Sequence, residues 1–138
     1  MKSLDIFNLA TLEIFRKCLS NIPQPVKLDP SEIGKEVAGY FSNPNNAAEL
    51  FTQLSVIQDK CEETINWLRN EGFLRIEPES LRGPVTATLT HKGMNASSVS
   101  VPSLGEGRRF SDFMTSNIKD VTKNIVSTLI AGLFTSGS

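Results

Sequence analysis

A single histidine, His91, occurs in the chain, so neither a pair of histidines sharing a proton nor a two-histidine metal site can form. Two cysteines, Cys18 and Cys61, are too few for a disulfide framework or a zinc cage. Both fall on apolar helical stripes, where a thiol ordinarily serves as a small buried hydrophobe. Carboxylates pair at Glu62-Glu63 and at Glu77/Glu79. Acid–base chemistry needs such groups desolvated or set against a metal. No such context surrounds these four, and they read as surface charge. Gly105-Glu106-Gly107-Arg108-Arg109 offers amides and cations for an anion nest, but without the strand and the remaining pattern of a phosphate loop it reads as linker. The expectation is a protein that works by binding, with no catalytic residues, cofactor or metal.

Bulk properties narrow the class further. The 138 residues fit one domain with an appended helix, and 39% apolar with 21% charged residues is ordinary for a globular chain. The formal net charge of −1 supplies none of the basic excess that phosphate neutralisation favours. Asp5, Glu13, Arg16 and Lys17 interrupt any leader-like apolar run near the start. No apolar run reaches the roughly 18 residues that would span a bilayer. A cytoplasmic protein is expected.

The elements follow from spacing. Leu4 to Leu19 predicts a helix after a Ser3 N-cap, with one stripe through Leu4, Phe7, Thr11, Ile14 and Cys18 and a second through Leu12, Phe15, Leu19 and Ile22. So wide an apolar face predicts a helix clasped between two surfaces. Val26-Lys27-Leu28 fits a short strand. Asp29-Pro30-Ser31-Glu32 is a helix start: Asp29 accepts from orphan amides, Pro30 occupies the first helical position, Glu32 reaches back to the cap, and Leu28 staples onto Ile33. That helix runs to about Phe41. Asn46 and Glu49 open a longer one, with Leu50, Leu54, Ile57, Cys61, Ile65 and Leu68 on one stripe and Gly72 as the left-handed stop. A break at Ser55-Val56 stays open. Phe73–Ile76 and Val85–Thr90 read as strands, Thr90 caps a short helix to Ser98, and 99–109 is a linker. The final segment, 110–138, is read as a helix.

Helix, strand, helix, long helix, strand, loop, strand is the order of a winged helix-turn-helix domain. Thr64 to Leu74, ending Glu71-Gly72-Phe73-Leu74, resembles the end of the recognition helix and first wing strand of MarR- and PadR-like regulators. Val85 to Gly93, ending Leu89-Thr90-His91-Lys92-Gly93, resembles the second wing strand of that family. The resemblance implies a mainly α (α+β) domain over residues 1–98 with a two-stranded wing. It also implies a transcriptional regulator whose long helix enters a DNA groove.

On that reading the DNA-contacting residues are Gln53, Gln58, Lys60, Arg69, Arg75, Arg82 and Lys92, with neutral amides reading base edges and cations meeting phosphates. Asp59, Glu62 and Glu63 stand against it, since carboxylates facing phosphates are repelled. From 77 to 109 four cations face three carboxylates, an excess of one. The alternative is a winged-helix scaffold for protein–protein contact, in which the acidic face of the long helix and the final helix are the working surfaces. A continuous basic strip would favour DNA; an acidic or apolar patch in its place would favour a protein. The final helix, with Met114, Ile118, Val121, Ile125, Leu129 and Leu133 on one stripe, is expected to hold a homodimer together.

Overall fold

The computed structural model describes residues 3–22, 24–39, 47–77 and 84–97, apart from the side chains of 3–5 and 47–53. The element order is α1 (Ser3–Asn21), β1 (Val26–Leu28), α2 (Pro30–Gly39), α3 (Ala47–Asn70), β2 (Leu74–Ile76), β3 (Val85–Leu89) and α4 (His91–Ser97). It is a mainly helical α+β arrangement with a small antiparallel sheet. The linker 99–109, the helix expected over 110–138, the residues at 40 and 41 and the Asn46 cap lie outside the described residues.

Sheet order is β1-β3-β2. β3 pairs Ala87 with Val26 on one side and with Ile76 on the other. The expected pair of strands is therefore a trio. β3 alternates buried Val85, Ala87 and Leu89 with more exposed Thr86 and Thr88, so one face lies on the core while both edges stay free to bond. That bonding capacity is what recruits Val26–Leu28.

Helix starts and stops follow local chemistry. Asp29 Oδ1 accepts from the Ser31 amide at 3.0 Å and its carbonyl accepts from Ile33 at 3.0 Å, so α2 begins at Pro30 as the cap requires. α3 runs unbroken through Ser55-Val56. It ends at Gly72, whose φ of +86° is left-handed. The Gly72 amide donates to Arg69 O at 3.0 Å and the Phe73 amide to Leu68 O at 2.9 Å, which satisfies two orphan carbonyls. α1 differs from expectation at both ends. Ser3 is already helical, and Ile22, placed on an apolar stripe, is 41% exposed beyond the last turn.

The core gathers Leu9, Leu12, Ile14 and Phe15 of α1 with Ile33 and Val37 of α2, Ile57, Cys61 and Leu68 of α3, and Leu28 of β1. Every residue from Asn8 to Phe15 is buried, and α1 packs against α2, α3, β1 and β3. The expected clasp is present, but neither face of that stretch remains for a partner. Among its buried polar members, Thr11 Oγ1 donates to Phe7 O at 2.8 Å, and Glu13 Oε2 lies 3.5 Å from Arg16 Nη2 as an ion pair without a hydrogen bond of its own.

Candidate interaction surface on the long helix

The inner side of α3 carries Ile57, Cys61, Thr64, Ile65 and Leu68, all buried. Half a turn around the helix, its outer side presents Ser55, Val56, Asp59, Glu63, Trp67 and Asn70 to solvent, with Glu62 and Asn66 half-buried beside them. The outer side is therefore acidic and apolar.

Among the expected DNA-contacting residues, Gln58 is half-buried beneath α2: a Cβ on Gly34 would sit 3.4 Å from the Gln58 Cα. Its backbone is thus set against the neighbouring helix, and the residue is not on the exposed side of α3. Lys60 pairs with Glu63 at 3.5 Å. Arg69 Nη2 donates to Asn70 Oδ1 at 3.3 Å. Lys92 Nζ donates to the Glu71 carbonyl at 2.8 Å and stands 4.6 Å over the Phe73 ring, so it closes the end of α3. Arg75 is exposed on β2 opposite Thr88. The Gln53 side chain, all of Arg82, and Met114, Ile118, Val121, Ile125, Leu129 and Leu133 lie outside the described residues. Three of the expected cations are thus drawn into local contacts, and among the described ones Arg75 stands exposed on a strand.

The two motifs that carried the family resemblance interlock. Thr90 Oγ1 donates to Gly72 O and accepts from the Gly93 amide at 3.1 Å, while the Thr90 amide donates to Phe73 O at 3.0 Å. Gly93 is pressed against the same turn: a Cβ there would meet Phe73 O at 2.4 Å and Leu89 Cδ2 at 2.9 Å. Glu-Gly-Phe-Leu and Leu-Thr-x-x-Gly are two halves of one joint between α3, β3 and α4. Their chemistry is capping and close approach.

An aromatic row continues from that joint. Trp67 stacks on Phe73 with centroids 6.4 Å apart and planes 19° apart, and Phe7 meets Trp67 edge-on at 5.2 Å and 88°. Trp67 thus covers Phe73 at the start of the β2–β3 ladder and keeps 39% of its surface in solvent. Phe7, Lys60, Glu63, Thr64 and Trp67 line an open groove of about 380 Å³ between α1 and α3. Spacing within one helix gives no sign of it, because one wall, Phe7, belongs to α1.

A second cluster lies between α1 and α2. Lys17 Nζ donates to Glu36 Oε1 at 3.0 Å. Burial pushes the Glu36 carboxyl up. Its hydrogen bonds with Glu13 and Lys17, and the charges of Lys17 and Arg16, outweigh that and hold it below the ordinary range. Burial pushes the Cys18 and Cys61 thiols up to about 12, and the negative Glu36 adds to the effect at Cys61. Both are poor nucleophiles at neutral pH. Among the described residues no group of three His, Cys, Asp or Glu side chains is placed to hold a metal ion, and no helix is long and apolar enough to cross a membrane.

Compared with protein families, curated proteins and solved structures, the chain matches none.

Proposed function

We propose that this chain is a non-enzymatic protein–protein interaction module of winged-helix type, with the outer side of α3 as its contact surface. The winged-helix reading draws support from the element order and from the antiparallel ladder that follows the long helix. The observation that carries the function is the character of that outer side. Val56 and Trp67 are exposed apolar groups, Asp59 and Glu63 are exposed carboxylates, and Lys60 is paired to Glu63. A surface of apolar patches rimmed by paired charge suits a protein partner, whereas phosphates would meet net negative charge.

A homodimeric DNA-binding regulator is the second reading, favoured by exposed Arg75 on β2. Fluorescence anisotropy with labelled mixed-sequence duplexes at low salt separates the two. On the protein-contact reading, binding stays no tighter than the non-specific range of about 1–100 µM. Charge reversal at Asp59→Lys with Glu62→Lys should then create salt-sensitive DNA affinity. Wild-type binding tighter than about 1 µM, with a salt slope that falls by about one unit on Arg75→Ala, would overturn it.

A further inference from the structure

Val56, Lys60, Glu63 and Trp67 follow one another at spacings of four, three and four, which puts them along one side of α3. All four reach solvent. Val56 is 53% and Trp67 39% exposed, and the side chains of Lys60 and Glu63 are 39% and 69% exposed. Read along the helix, the stripe is apolar, cation, anion, apolar.

That order is its own complement when reversed. Turn a second α3 antiparallel about a two-fold axis passing between Cys61 and Glu62. Lys60 then faces Glu63 of the second copy, and Val56 faces Trp67 of the second copy, with both contacts repeated by symmetry. The groove between Phe7 and Trp67 becomes the hole, and the exposed Val56 of the second copy becomes the knob. A patch for an unrelated partner has no need of such reversal symmetry, while a two-fold self-contact requires it.

We infer that this stripe is a self-association surface whose occupant is a second copy of the chain, docked antiparallel along α3. The inference rests on the protein-contact reading above and names its partner. It is independent of the apolar stripe at 110–138. From 56 to 67 is about 16 Å of helix, a short contact of the weak and reversible class, so a dissociation constant of about 10–100 µM is expected.

Sedimentation velocity on the full chain, over concentrations bracketing that value, tests it. Lys60→Glu and Glu63→Lys each set like charges across both contacts and should weaken association about tenfold or more. Mixing these two single variants restores opposite charges at both contacts, so the mixture should associate as well as wild type while each alone does not. Unchanged far-UV circular dichroism checks the fold of these surface variants, and Val56→Asp should weaken association independently of the ion pairs. A wild-type chain that stays monomeric, single variants that associate like wild type, or a mixture no better than its components would each overturn the inference. Should the swaps fail while duplex DNA goes unbound, the error lies in the identity of the partner. Tight DNA binding would instead remove the protein-contact reading itself.

Discussion

Between Asn8 and Phe15, α1 buries eight consecutive residues, whereas from Leu54 to Asn70 α3 buries only Ile57, Cys61, Thr64, Ile65 and Leu68. Composition does not account for the difference, because the buried stretch of α1 includes Asn8, Thr11 and Glu13. Surroundings do. α1 is enclosed by two helices and two strands, while α3 is backed by α1, α2 and β2 and leaves one side to water. Within that enclosure Thr11 bonds Phe7 O and Glu13 has the Arg16 charge 3.5 Å away. The open helix keeps Val56 and Trp67 in solvent, on the side proposed above as the contact surface.

Truncation should expose this contrast most strongly. Phe15, fully buried, should cost about 3–5 kcal/mol as Phe15→Ala. Val56→Ala on the open side should stay within about 0.5 kcal/mol. Urea melts measure both, and a comparable loss at Val56 would mean that the outer side of α3 is packed after all.

The closed end of α3 offers a test of intermediate size. Gly93→Ala drives a methyl toward Phe73 O and Leu89, which is overpacking with a cost of about 1–3 kcal/mol. Thermal melts should show that loss. An unshifted midpoint would mean that the joint of Gly72, Thr90 and Gly93 yields freely, and that α3 is no more anchored at its end than along its outer side.

A smaller loss belongs to the cluster between α1 and α2. Glu36 has a depressed pKa in the folded protein, so its contribution is present above its ordinary value of 4.5 and is lost as pH falls through the folded value. Glu36→Gln should therefore destabilise at neutral pH and converge with wild type in acid. With its side chain 34% exposed, solvent screening limits the loss to about 0.5–1 kcal/mol. Denaturant melts across pH measure the convergence. A pH-independent difference would assign the cost to packing and not to the carboxylate.

Signals confined to one element were legible in the sequence. The Asp29 cap, the Gly72 stop, the Ile57-Cys61-Ile65-Leu68 stripe and the Thr90 cap each depend on residues a few positions apart, and each stands where spacing put it. Features made by two elements were not. Gln58 read as a neutral residue on an exposed turn because nothing in α3 reveals Gly34 lying against it. Lys92 read as a free cation because its acceptor, Glu71 O, is 21 positions away. The groove at Trp67 needs Phe7 from the other end of the fold, and the third strand needs β3 to offer its second edge. The α3 surface was half legible. Its acidic side chains stood out in the sequence, but pairing of Lys60 and the reversal symmetry of the stripe emerge only when exposure is known.

The sheet order also determines when the protein can exist as it is synthesised. Val26 pairs with Ala87, sixty-one positions later, and β3 lies between the other two strands. Until β3 leaves the ribosome, β1 has no neighbour to bond, and β3 cannot take its place against α1. Closing so long a loop is costly until the contacts it permits are made together. A nascent chain halted before β3 emerges therefore lacks the strand that ties the β1 end of the fold to the β2 end.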